Sequence, residues 1–128
     1  MRDYYDAVLY RGTTATNVFV LADALQDAEI TACYATYWQH EKTVLEKSLA
    51  DMSIERVTVK LPDGTAENKR AVVVNLTQAE TLQFEANNPA DRWGDARVQL
   101  RVKTARGEAA ATRYVYLKVH DVIKEGVI

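Results

Sequence analysis

The stretch from Ala71 to Val119 constrains the chain most, because its apolar residues recur at every second position. Ala96, Val98, Leu100 and Val102 alternate with Arg97, Gln99, Arg101 and Lys103. Val115, Leu117 and Val119 alternate in the same way with Tyr114, Tyr116 and Lys118. A period of two buries one face of a strand and leaves the other wet. Ala105-Arg106-Gly107-Glu108 separates the runs, so they predict a hairpin. With Arg106 and Gly107 at the tip, Val98 opposes Val115 and Ala96 opposes Leu117, and the apolar faces coincide. The same register sets Arg97 across from Tyr116 and Gln99 across from Tyr114. The outward face is then basic and aromatic together.

Ahead of this hairpin, Ala71-Val72-Val73-Val74-Asn75-Leu76 reads as a strand with Val72, Val74 and Leu76 inward. Thr77-Gln78-Ala79-Glu80 has capping-box spacing, which predicts one short helical turn near 77–81. Leu82 and Phe84 point back to the core. Residues 86–94, with Asn87-Asn88-Pro89 and Gly94, read as a loop crossing between sheets, and Trp93 within it as a plug at the sandwich end.

The N-terminal part gives the same period with less clarity. Residues 1–10 form an arm or an extra edge strand, and residues 11–128 the sandwich domain. Arg11-Gly12-Thr13-Thr14 is a turn. Asn17 to Leu21 is apolar on both faces, which predicts a strand covered twice. Ala22 to Ala28 is a loop with one helical turn. Glu29 to Gln39 alternates and carries Cys33 inward, His40-Glu41-Lys42 turns, and Thr43 to Lys47 returns as a hairpin partner. A helix from Thr36 to Met52 competes, since Leu45, Leu49 and Met52 recur at helical spacing, and the strand reading is favoured over it. Ile54 to Leu61 is a half-buried strand ending in the turn Pro62-Asp63-Gly64, and Thr65 to Arg70 reads as a polar loop tip. Short strands punctuated by turns predict an all-β chain, a single antiparallel β-sandwich, with a small barrel as the alternative.

Bulk properties agree with one domain: 128 residues, 48% hydrophobic, 27% charged. A net charge of −2 exerts no overall pull on nucleic acid or anionic membrane, so neither is expected as a partner. The apolar runs fall far short of the ~20 residues that span a bilayer, and no leader pattern opens the chain. The lone Cys33 fits synthesis in a reducing compartment.

Residues that carry chemistry are scattered. His40 and His120 lack the spacing of metal ligands. Cys33 in an alternating strand is a small buried hydrophobe before it is a nucleophile. Glu80, Glu85, Asp91 and Asp95 could supply a carboxylate pair, yet Glu80 already has a capping role. The glycines are isolated and make no phosphate cradle. These patterns predict no enzyme, no metal and no cofactor. Candidate contact residues are Tyr4, Tyr5 and Tyr10 in the arm, Arg97, Arg101, Tyr114 and Tyr116 on the hairpin face, and Val127 and Ile128 at the apolar end. Tyr and Arg are enriched at interface hot spots. Tyr34, Tyr37, Trp38 and Trp93 are the aromatics that a carbohydrate- or ligand-binding module would display, although core packing is their default use.

Several segments also resemble a family. Arg11-Gly12-Thr13-Thr14, Phe19-Val20-Leu21 and Tyr37-Trp38-Gln39 lead into Val74-Asn75-Leu76-Thr77-Gln78-Ala79-Glu80-Thr81. Val98-Gln99-Leu100-Arg101-Val102, Gly107-Glu108-Ala109 and the closing Asp121 to Ile128 continue the pattern. Together they resemble small phage and prophage virion-associated β-sandwich proteins, similar in outline to the N-terminal domain of phage baseplate upper proteins. Residues 1–10 extend upstream of that pattern, and Leu61 to Lys69 is longer than its turn. The resemblance implies an immunoglobulin-like sandwich acting as a structural or adaptor protein of a tail or baseplate. It also implies homo-oligomers, contacts with other virion proteins, no small-molecule ligand, and a place in the virion after synthesis in the host cytoplasm.

Overall fold

Two sheets pack face to face, as period-two burial requires, in a computed structural model that describes residues 4–86 and 92–128. In chain order the strands are β1 (Ala7–Tyr10), β2 (Ala15–Val20), β3 (Ile30–Gln39), β4 (Lys42–Ser48) and β5 (Met52–Lys60). There follow β6 (Ala66–Leu76), β7 (Trp93–Thr104), β8 (Ala109–Ala111) and β9 (Val115–His120), with the one-turn helix α1 (Gln78–Thr81) after β6. The larger sheet runs β1-β9-β7-β3-β4, with β8 also on β7, and the smaller runs β2-β6-β5. This is the strand order of an immunoglobulin-like sandwich, G-F-C-C′ against B-E-D. Among the described residues no helix is long and apolar enough to cross a membrane.

The core is built by alternation. Leu9, Cys33, Ala35, Tyr37, Val98, Leu100, Leu117 and Val119 from the larger sheet meet Phe19, Val72, Val74 and Leu76 from the smaller. Where many such domains join their sheets by a disulfide, β2 and β7 here use Phe19, Leu100 and Val102 instead. Tyr37 crosses the layers: its hydroxyl donates to Asn17 Oδ1 at 2.5 Å, and its ring meets Phe84 edge-on.

The hairpin register is as the sequence predicts, with Ala96 opposite Leu117, Arg97 opposite Tyr116 and Val98 opposite Val115. Beyond Val98 the pairing slips by one residue, so Gln99 does not pair Tyr114. Arg101 instead faces Ala111, and the Gln99 side chain donates to the Thr112 carbonyl. The slip is a β-bulge that splits the return strand into β8 and β9.

Four expectations need correction. The sandwich is not wholly antiparallel, because β1 pairs in parallel with β9. The two are far apart in sequence, so no tight hairpin dictates their direction. Val18 and Val20 are 50% and 42% exposed, so β2 is covered on one face only; a two-layer sandwich has no third layer to cover it. Of the loop tip read at 65–70, Ala66 to Arg70 belong to β6, paired residue for residue with β5. Its polarity misled because this end of the ribbon is largely exposed and has no apolar face to show. Over 36–52 the favoured strand reading holds against the competing helix: Leu45, Leu49 and Met52 lie on β4, a 3-10 turn and β5, each packed on the core. Finally, Trp93 and Gly94 begin β7 and are not loop. Asn87, Asn88, Pro89 and Asp91 lie outside the described residues.

His40 and Glu41 make the tight turn between β3 and β4, both with positive φ (52° and 62°), the geometry that matches the twist of a two-residue hairpin. At the end of β6 both halves of the capping box form. Glu80 N–H donates to Thr77 Oγ1 at 3.2 Å, and Thr77 N–H donates to Glu80 Oε1 at 2.8 Å. Glu80 also pairs Lys47 at 2.6 Å. Thr77→Ala is expected to cost about 1 kcal/mol, read as a lower midpoint in urea at unchanged slope.

A part-buried polar clamp ties the turn after β1 and the segment after β9 to the loop after α1. Arg11 Nε donates to the Phe84 carbonyl at 2.7 Å, and its terminal nitrogens reach the Leu82 carbonyl, Asp121 and Glu125. Asp121 also accepts from Arg92 at 2.6 Å and from the N–H of Val122. Burial alone would raise the Asp121 carboxyl, but these donors outweigh it and hold it below its ordinary 3.8. A depressed carboxyl contributes stability that is present above its unfolded value and is lost as pH falls through the folded one. The wild type is therefore expected to lose stability below about pH 4 more steeply than Asp121→Asn, read by urea melts across that range.

Candidate functional site

Parity decides which side chains the larger sheet offers to solvent. Because Cys33, Ala35 and Tyr37 face the core, Tyr34, Thr36 and Trp38 face outward on β3. On β7 the outward set is Trp93, Asp95, Arg97, Gln99 and Arg101, and on β9 it is Tyr116, Lys118 and His120. Tyr10 projects outward from β1 and stacks on His120, with ring centroids 5.1 Å apart. Aromatic and basic residues from four adjacent strands thus share one face.

The sheet register assembles its centre. Trp38 on β3 lies directly across from Arg97 on β7. The Arg97 guanidinium sits 4.1 Å from the Trp38 ring centroid and 4.8 Å from that of Tyr114, in contact with both rings. Tyr116 meets Tyr114 edge-on at 6.5 Å. A cleft of about 300 Å³ opens here, lined by Thr36, Trp38, Arg97, Val98, Gln99 and Tyr114. Arg101 lies one pair further along β7, opposite the exposed Tyr34.

At the other end of the face, Trp93 is only 7% exposed. Tyr5 packs edge-on against it, Lys118 lies 4.9 Å from its ring centroid, and the Tyr5 hydroxyl donates to Asp95. Trp93 is therefore covered by the N-terminal segment and is neither a plug between the layers nor an open platform for a sugar ring.

Of the residues singled out from sequence, Tyr5, Tyr10, Arg97, Arg101, Tyr114 and Tyr116 come together on this face. Tyr4 is 66% exposed just ahead of it. Val127 and Ile128 do not join them. Val127 lines a separate groove with Thr14–Thr16 and residues 75–79, and the Ile128 N–H donates to Gln78 Oε1. The sequence reading left Trp38 and Tyr34 with a core default. The missed signal was strict alternation: once Cys33 is inward, both must be outward.

The remaining polar residues are engaged elsewhere. Cys33 is 1% exposed, and burial pushes its thiol up to about 11, so it is no nucleophile near neutral pH. Glu80 serves α1 and Lys47, Glu85 pairs His40 at 3.1 Å, and Asp95 accepts from Tyr5. Among the described residues no group of His, Cys, Asp and Glu could hold a metal ion.

No protein-family model and no curated protein matches the chain. Among solved structures 27 chains match. The immunoglobulin-like domain of mouse leukocyte-associated immunoglobulin-like receptor 1, in a strand-swapped dimer, is 12% identical with a TM-score of 0.40, over 93% of each chain. Murine CRIg is 7% identical with a TM-score of 0.40, over 91% of this chain and 92% of that one.

Proposed function

We propose that the chain is a non-enzymatic adaptor domain, acting through protein contacts on the outward face of its larger sheet as a repeated subunit of a phage tail or baseplate. The observation that carries the contact surface is the gathering of Tyr10, Tyr34, Trp38, Arg97, Arg101, Tyr114 and Tyr116 on one sheet face. Aromatic rings on an open strand face cost solvation without adding to the core, and such rings with arginine are what interface centres use. Open sheet edges at β4 and β5 give repeated subunits further places to pair. The virion setting rests on the segment resemblance alone, from Arg11-Gly12-Thr13-Thr14 to the closing Asp121–Ile128.

The test is a double substitution, Tyr34→Thr with Tyr116→Thr, which keeps strand propensity while removing both rings. Size-exclusion chromatography with light scattering is expected to show concentration-dependent self-association in the wild type and its loss in the variant, with far-UV circular dichroism unchanged. A wild type that stays monomeric at its highest soluble concentration, and does not co-purify with co-expressed products of flanking genes, overturns the reading.

A further inference from the structure

We infer that the cleft between Trp38 and Tyr114 receives an aspartate or glutamate side chain from a protein partner, gripped by Arg97. The inference rests on the outward face being a protein-contact surface and names the chemistry the partner brings. A guanidinium carries five N–H donors in one plane. Here the guanidinium carbon lies over two rings, 4.1 Å from the Trp38 centroid and 4.8 Å from that of Tyr114, and Arg97 itself lines the cleft. Arg11, Arg92 and Arg113 each hold a carboxylate of this chain. Arg97 holds none among the described residues, and no acceptor there takes its hydrogen bonds.

A half-buried fork with unused donors is complementary to a carboxylate, which it binds through two parallel bonds. The cleft, at about 300 Å³, has room for a single acidic side chain. Arg97, Arg101, Lys103 and Lys118 outnumber Asp95 and Glu46 on the face, so its local charge is positive on a chain whose net charge is −2. That field steers an acidic protein surface toward it. The Trp38 and Tyr114 rings each turn a face to the guanidinium, and that face is closed to a sugar ring.

The experiment is heteronuclear NMR on the ¹⁵N-labelled full chain, titrated with a short glycine–serine peptide bearing one central glutamate. The glutamine version of that peptide at equal ionic strength is the control, and glucuronic acid and N-acetylneuraminic acid form a separate arm. The glutamate peptide is expected to shift the Arg97 Nε–H and Trp38 indole N–H resonances saturably, the glutamine peptide to leave them in place, and Arg97→Lys to weaken binding roughly tenfold. Equal shifts from both peptides, or shifts at Arg101 and Lys118 with Arg97 unmoved, overturn the inference. So does a sugar acid that binds where the peptide does not. Shifts at Arg97 that depend on protein concentration with no peptide present, and that the glutamate peptide does not displace, would put something other than a carboxylate in the cleft and overturn it too. If Tyr34→Thr with Tyr116→Thr abolishes association while the peptide leaves Arg97 unmoved, the adaptor reading stands and this inference falls.

Discussion

Arg11→Met is expected to lower the stability of the folded chain by about 3 kcal/mol, a fall of roughly 10 °C in Tm. Methionine keeps the aliphatic stem and removes the donors. The Phe84 carbonyl at 2.7 Å and the Leu82 carbonyl at 3.3 Å then lose a charged partner, and Asp121, its side chain only 9% exposed, loses one of two arginines. Arg92 still pairs Asp121 and the Arg11 side chain is partly solvated, so the loss stays near the lower end of what breaking a buried ion pair costs. The clamp matters because it joins three distant pieces of chain: the turn after β1, the loop after α1 and the segment after β9. Asp121→Asn should share much of the loss, so the double variant is expected to be less unstable than the sum of the singles. Thermal and urea melts of the four proteins provide the check, and a loss under about 1 kcal/mol for Arg11→Met would show that the clamp is ornamental.

Gly94→Ala is expected to cost about 3 kcal/mol, although it adds one methyl group to a strand. A Cβ at this position would lie 2.5 Å from the Glu85 carbonyl oxygen, a backbone atom that cannot swing aside. Glu85 is held there by buried Gln39. The Gln39 amide nitrogen donates to the carbonyls of Glu85 and Asp95 at 2.8 and 3.0 Å, and its oxygen accepts the Glu85 N–H at 2.7 Å. The clash and the clamp are therefore one device, which presses the loop after α1 onto the start of β7. In a Gln39→Ala background Glu85 is released, and Gly94→Ala is expected to cost markedly less; additive losses in urea melts would contradict this account.

Local patterns made much of the fold legible. The capping box at Thr77 and Glu80 needs only residues three apart, and both of its bonds form. The β7–β9 pairing followed from one turn and two alternating runs, because a one-residue error would have thrown Val98 and Leu117 into water. Other features stayed hidden for equally local reasons. The ladder of β6 over 66–70 pairs backbone groups, which leave no trace in side-chain polarity. The exposure of Val18 and Val20 depends on how many layers the molecule has. Leu45, Leu49 and Met52 share helical spacing although they lie on two strands and the 3-10 turn between them.

For the candidate site the division is similar. Arg97, Tyr114 and Tyr116 could be placed on one outward face from the hairpin alone, since cross-strand neighbours follow from register. That Trp38 closes over Arg97 required β3 to lie beside β7, a pairing between segments some sixty residues apart. Alternating side chains determine which surface of a strand meets water; they are silent on which strand lies alongside. Only the packed sandwich chooses that neighbour, and with it a guanidinium in contact with two rings on an open sheet face.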